Sequence, residues 1–356
     1  MRIAVVGVGL IGGSIGLAAR ERLGAHVSGH DPDVGVLELA HRRGAIDAGF
    51  EDLESCLEAA EAAFVAAPVG ALPDVLDAVL AAAPADCVVS DVGSTKRAVV
   101  GAHDDQRFVG GHPLAGAETA GVEHARADLF EDATWYLTPG TGTSGILYER
   151  LHRMLVAFGA QPTAIEPEAH DRLMAGVSHL PHVLANVLVD QVARTLGDDG
   201  ERMPATGPSF RDATRVAGAN SAIWTDIYLS NREALIESLD DALGRLEQVR
   251  ARLAGADRDA IEHWNESARV HRQALLDAGL AGGELRELRA SVPNRPGVIA
   301  DIALALGREG INIVDLALSP SQDNTRGSVA LWVHGDDSAR RALELISSLD
   351  IAVTRA

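Results

Sequence analysis

Short apolar runs alternate with helix-like stretches through the first 165 residues. RIAVVG (2–7) leads into GVGLIGGSIGLAARERL, the order strand, glycine turn, helix. HVSGHD, AAFVAAP, DCVVSDV and QRFVGGHP follow with helical patterns between them, and TWYLTP (134–139) and AQPTAI (160–165) read as the last strands. That alternation predicts a doubly wound parallel sheet with helices on its faces, an α/β domain over residues 1–166.

From about 167 the period becomes helical. HDRLMAGVSHLPHVLANVLVDQVARTL and AIWTDIYLSNREALIESLDDALGRLEQVRARLAG read as long helices around a turn-rich GDDGERMPATGPSFRD. An all-helical domain over 167–280 is expected, too apolar to pack only on itself, which predicts a homodimer. AGLAGGE (278–284) reads as a linker. Beyond it ELRELRASV, NRPGVIADIALALGREG, INIVDLALSP, RGSVALWVHG, SARRALELISSL and DIAVTR give βαββαβ, a ferredoxin-like module over 284–356.

Composition narrows the class. A net charge of −20 argues against binding to nucleic acid or an anionic membrane surface, so an anionic substrate needs local arginines. Cys56 and Cys87 are too few for a disulfide framework and lack metal-ligand spacing, which favours a reducing, cytoplasmic setting. MRIAVVGVG runs straight into a strand, so no signal segment is expected, and the Ala-rich stretch 59–83 is broken by Glu61, Asp74, Asp77 and two prolines. Lys96 is the only lysine in the chain.

Gly7, Gly9 and Gly12 spell GxGxxG directly after the first strand, with Leu10 and Ile11 opening the helix. The spacing allows a tight turn, close backbone approach to a pyrophosphate at the helix N-terminus, and close helix–strand packing. Asp31 ends the second strand nineteen residues after Gly12, where a carboxylate accepts from a ribose 2′-hydroxyl and repels a 2′-phosphate. A Rossmann domain binding NAD rather than NADP follows; the rival role for Asp31 is to cap the next helix.

Other unusual residues gather in DVGSTK (91–96), GGHPLAGAE (110–118), SHLPH (178–182) and FRDATR (210–215). The first two follow strand ends at the ligand-binding edge of such a sheet. Ser94 stands there at the nicotinamide, as the N-cap of the following helix, or as both. Gly110 and Gly111 clear space for a ligand, and Pro113 fixes a turn that aims His112. Removal of hydride from a carbinol needs a base on its oxygen, and imidazole titrates in the right range. A structural histidine is the competing reading. His179 and His182 share a helix face at i, i+3 without a third metal ligand in range. Arg211 and Arg215 read either as a solvated face around Asp212 or as a fork for a substrate carboxylate.

Taken in order, GVGLIGGSIG, DVGSTK, GGHPLAG, HDRLMAGVSHLPH, FRDATRVA and IWTDIYLSN resemble the prephenate dehydrogenases of tyrosine biosynthesis, over essentially residues 1–280. SVPNRPGVIADIALALGREGINI resembles an ACT domain. The resemblance implies a Rossmann domain, a helical dimerisation domain and an active site between them. It also implies oxidative decarboxylation of prephenate by NAD⁺ to 4-hydroxyphenylpyruvate, CO₂ and NADH. By the same resemblance His112 takes the proton of the C4 hydroxyl, and Ser94 hydrogen-bonds both that histidine and the hydroxyl. Arg215 holds a substrate carboxylate, His182 contacts substrate, and His179 lies beside the cofactor. Trp224 reaches in from the partner subunit, and Glu118 and Asp212 stand around the entrance. TGPSF departs from the glycine-rich segment of relatives: Pro208 offers no N–H, which bears on prephenate against arogenate. In the tail, Asn294, Pro296 and Gly297 mark the turn where related modules take an amino acid, with tyrosine the expected effector.

Two other functions compete with this one. β-Hydroxyacid dehydrogenases use a lysine in the helical domain, and this chain has none after Lys96. An NAD-gated amino-acid sensor without chemistry accounts for the first motif and the tail, but gives GGHP and FRDATR nothing to do.

Overall fold

The computed structural model describes residues 1–116, 119–197, 206–278, 284–320 and 326–355. Strands β1 (Arg2–Val6), β2 (His26–His30), β3 (Ala48–Phe50), β4 (Ala62–Val65), β5 (Val88–Asp91), β6 (Phe108–Pro113), β7 (Thr134–Pro139) and β8 (Gln161–Ala164) form one sheet. Its order is β3-β2-β1-β4-β5-β6-β7-β8. Neighbours run parallel except β6 and β7, which are antiparallel. The strand order reverses between β1 and β4, where such sheets open a crevice at their carboxyl edge.

Helices α1 (Leu10–Leu23), α2 (Val34–Arg42), α3 (Leu53–Leu57), α4 (Leu72–Ala82), α5 (Arg97–Ala102) and α6 (Gly145–Ala157) link these strands. Residues of β1 divide by alternation: Ile3 and Val5 enter one hydrophobic cluster, Ala4 and Val6 the other. Burial on both faces is why these strands read as unbroken apolar runs. The short edge strand β3 carries no such run and is invisible in the hydrophobic pattern.

Beyond the sheet, α7 (Pro167–Met174) passes through a π-helical turn (Ala175–His179) into α8 (Leu180–Gly197). Then come α9 (Pro208–Thr214), α10 (Ser221–Ser230), α11 (Arg232–Ala254) and α12 (Arg258–Ala278). The pattern from 222 to 255 predicts one helix; the chain instead breaks at Asn231, whose side chain is drawn into a buried network at the domain seam. Leu184, Val187 and Leu188 on α8, Leu243 and Leu246 on α11, and Val270 on α12 are exposed, leaving apolar surface that this chain does not cover. Among the described residues no helix is long and apolar enough to cross a membrane.

The tail forms β9 (Leu285–Pro293), α13 (Val298–Arg308), β10 (Asp315–Pro320), β11 (Arg326–His334), α14 (Asp336–Ser348) and β12 (Ala352–Arg355), an antiparallel sheet in the order β10-β11-β9-β12. It does not stand apart. Its apolar core is continuous with that of the first domain through α6 and α13. His152 Nε2 on α6 lies 3.1 Å from the Ile313 carbonyl, the Gly297 amide donates to Thr143 O at 2.9 Å, and Arg308 pairs with Glu166. Most of the expected linker, 279–283, lies outside the described residues.

Candidate functional site

The glycine turn is built for close approach. Gly7 sits at φ +90°, and a Cβ there would come 2.5 Å from the Ala66 carbonyl at the end of β4. At Gly12 a Cβ would be 2.0 Å from Gly7 O, so helix and turn touch through bare backbone. Gly9 is different: a Cβ there meets nothing within 4 Å, which leaves the ground in front of the helix open. Gly9 is also the N-cap, contributes no capping side chain, and no acidic residue occupies the first turn. The amides opening α1 at Leu10, Ile11 and Gly12 thus form an anion-binding terminus. Asp31 closes the other side, its carboxylate accepting from the Val8 amide at 2.9 Å and the Asp33 amide at 3.0 Å. The helix cap after Pro32 is Asp33, which accepts from Gly35 N, so capping does not account for Asp31. Donors, open space and carboxylate fit a dinucleotide.

His112 is held by strand and network, not by a turn. It lies within β6, opposite Tyr136 of β7, with Pro113 opposite Trp135. The structure corrects the expectation that Gly110 and Gly111 make room for a ligand. A Cβ on Gly110 would strike Thr138 Oγ1 at 2.3 Å, and one on Gly111 the Asp91 carbonyl at 2.6 Å. The glycines let β6 close onto a buried ion pair, Asp91 with Lys96. Asp91 also accepts from the Gly93 and Gly111 amides.

The ring's hydrogen-bonding partner is likewise unexpected. Among the described residues His112 Nδ1 pairs with His170 Nε2 at 2.9 Å, not with Ser94, and His170 Nδ1 lies 2.8 Å from Asp171 Oδ1. Asp171 accepts in addition from the amides of Lys96 (2.8 Å) and Arg97 (3.0 Å). It therefore caps α5 from the helical domain, the task that the sequence offered to Ser94; Ser94 itself is half-buried in the loop before Lys96. Asn231 donates to the Asp171 carbonyl at 2.7 Å and lies 3.1 Å from His179 Nδ1. Thr95 with Ser230, and Arg97 with Glu233, tie the two domains at the same seam. The adjacent His-Asp in HDRLMAGVSHLPH was the available signal for His170 and Asp171; nothing local singles out Asn231.

Burial sets the charge states. Desolvation holds His112 well below the usual imidazole range, reinforced by His170, Lys96 and His179. His179 is pushed down to about 4, chiefly by burial, with Asp171 opposing. Burial also lowers His170 against the pull of Asp171. For Asp171 burial would raise the carboxyl, but the hydrogen bonds from His170 and the Arg97 and Lys96 amides leave it below its ordinary value. The network is thus neutral imidazoles around fixed charges.

His182, on α8, stacks on Trp224 with centroids 3.6 Å apart and planes at 4°, and hydrogen-bonds Tyr228. His179 meets the same indole edge-on. Trp224, expected from a partner, packs here in its own chain. Arg211 on α9 and Arg215 just after it are exposed, as is Asp212. Pro208 takes the first turn of α9 after the Gly207 N-cap, where its missing N–H costs no helical hydrogen bond. Glu118 lies outside the described residues.

Residues 15–163 match the family model described as prephenate dehydrogenase, nucleotide-binding domain, and residues 166–266 the model for the prephenate dehydrogenase dimerization domain. The prephenate dehydrogenase of Bacillus subtilis is 31% identical, over 97% of this chain and 95% of its own. The chain belongs to the prephenate dehydrogenase family. Among solved structures of this family, prephenate dehydrogenase from Aquifex aeolicus, in complex with hydroxyphenyl propionate and NAD⁺, superposes with a TM-score of 0.73. It is 27% identical and covers 77% of this chain and 98% of that one. Arogenate dehydrogenase from Synechocystis gives a TM-score of 0.68 at 28% identity, covering 77% and 100%. NAD is accordingly the cofactor of this chain.

Residues 286–345 match the ACT domain. Asn294 and Pro296 line a cavity of about 290 Å³ together with Gln106, Ser144 and Ile146 of the Rossmann domain and Arg326 of β11. Gly297 is not part of its lining. At φ +81°, with a Cβ that would fall 2.2 Å from Thr141 O, it serves instead to dock the tail.

Proposed function

We propose that this protein catalyses the NAD-dependent oxidative decarboxylation of prephenate to 4-hydroxyphenylpyruvate, acting as a homodimer. The observation that carries it is a neutral imidazole, His112, held by a buried network near the end of β6, at the sheet edge that also presents the Gly7–Gly12 turn. NAD⁺ bound by Gly7, Gly9, Leu10, Ile11, Gly12 and Asp31 supplies the hydride acceptor. His112 takes the C4-hydroxyl proton and returns it to the same oxygen as loss of CO₂ aromatises the ring. Arg215, with Arg211, holds substrate carboxylate; His182 on Trp224 walls the ring, and Ser94 faces the carbinol. His179 braces the cofactor side. Exposed apolar residues of α8, α11 and α12 meet their copies in the dimer. The cavity at Asn294 and Pro296 takes an amino-acid effector, with tyrosine the candidate.

The test is NADH formation at 340 nm with prephenate and, separately, arogenate. We expect a higher kcat/KM for prephenate, and a fall of about 10²–10⁴-fold in kcat for His112→Asn with NAD affinity kept. Preference for arogenate moves the assignment to its aminated analogue; full turnover by His112→Asn removes the base.

A further inference from the structure

His170 and Asp171 belong to no motif role assigned above, yet they back the one ring on which the chemistry turns. Asp171 Oδ1 lies 2.8 Å from both His170 Nδ1 and the Lys96 amide, and Oδ2 lies 3.0 Å from the Arg97 amide. Both side chains are buried. The carboxylate is ionised and surrounded by donors, so it has no proton to give; the proton in its contact with His170 sits on His170 Nδ1. A neutral imidazole carries one N–H, which leaves His170 Nε2 as a bare acceptor. His112 Nδ1, 2.9 Å away, is then the donor. Its own single N–H is used up, and His112 Nε2 is left with a free lone pair.

We propose that His170 and Asp171 are positioning residues for the reaction, holding His112 in the one tautomer whose Nε2 is free to accept the C4-hydroxyl proton. This rests on the reading of His112 as the base. The C4 O–H breaks and its proton joins His112 Nε2, the hydride leaves C4 for the nicotinamide, and the proton goes back to oxygen as CO₂ departs. His170 and Asp171 exchange no net proton. Their second effect is electrostatic: the transient imidazolium keeps its Nδ1–H on His170, backed by an anion. The charged groups around the ring are Lys96, which opposes that cation, Asp91, which offsets Lys96, and Asp171; the neutral rings of His170 and His179 complete the surround. Tyr136 meets His170 edge-on, with centroids 5.6 Å apart, and limits its rotation.

Two measurements on the full chain decide it. In ¹⁵N-histidine-labelled wild type at neutral pH, the His112 ring, assigned by its loss in His112→Asn, should show a protonated Nδ1 and an unprotonated Nε2. The reverse tautomer overturns the proposal. His170→Phe keeps a ring but no acceptor; kcat should fall about 10²-fold or more with KM and NAD affinity unchanged, and His170→Gln, whose amide oxygen accepts, should recover at least about tenfold. If His112→Asn is dead while His170→Phe keeps wild-type kcat, the base stands and the positioning role falls. If His112→Asn turns over normally, the base reading itself has failed. Should His170→Phe not fold, the tautomer measured in wild type decides by itself between the two outcomes.

Discussion

Replacing Lys96 by Met isolates the electrostatics beneath the site. The ammonium and its partner Asp91 are both fully buried, and Asp91 otherwise has only the Gly93 amide at 2.8 Å and the Gly111 amide at 3.1 Å among the described residues. Burial pushes the lysine down, while Asp91 and then Asp171 hold it charged. Removing one member of a buried pair leaves an uncompensated charge and costs about 3–5 kcal/mol, a large share of a typical net stability of about 5–15 kcal/mol. With a urea slope at the upper end of about 1–3 kcal/mol/M, the midpoint should fall by about 1–2 M. The double variant Lys96→Met with Asp91→Asn should recover most of this, because an amide oxygen still accepts from Gly111 or Gly93 without a charge. Wild type offers an independent readout, since Lys96 is the only lysine. Amine acylation in native buffer should modify the N-terminus alone, and denaturant should add one further site. A Lys96→Met midpoint within about 0.3 M of wild type at unchanged slope, or rapid native acylation of Lys96, would refute the reasoning.

Two further outcomes follow from the geometry. His179 is lowered from 6.5 to about 4, so the unfolded chain binds its proton first; this contribution is complete above pH 6.5 and is lost as pH falls toward 4. His112 and His170 are lowered too and act in the same direction, so Tm should drop between pH 7 and 5, with His179 alone worth about 2 kcal/mol by pH 5; a flat Tm across that range contradicts the burial of these rings. At the tail, a Cβ on Gly307 would stand 1.9 Å from Ala164 O, whereas one on Gly101 meets nothing within 4 Å. Gly307→Ala should therefore cost about 1–3 kcal/mol by calorimetry and Gly101→Ala almost nothing, and equal effects would argue against the docked arrangement.

Much was legible along the chain because it is encoded locally. Apolar runs broken by glycine turns announce buried parallel strands, GxGxxG announces the bare turn between β1 and α1, and the change of period near 167 and again after 284 announces new layers. What stayed hidden depends on residues meeting across long separations. The π-turn that brings His179 beneath Trp224, the break at Asn231, and the meeting of His112 with His170 across 58 positions exist only once the helical domain closes on the sheet. Gly110, Gly111 and Gly297 could be seen as places lacking a side chain, but not what fills the space.

By itself, then, the order of residues determined the periodicities, the turns and the chemical inventory, since backbone dihedrals and side-chain alternation are properties of neighbours. Only the tertiary structure decided which groups share a proton, which glycines are forced by a facing backbone, and that the tail packs onto α6 and β8. Those are matters of distance between separate elements, and distance is set by the packing of whole surfaces rather than by any stretch of sequence.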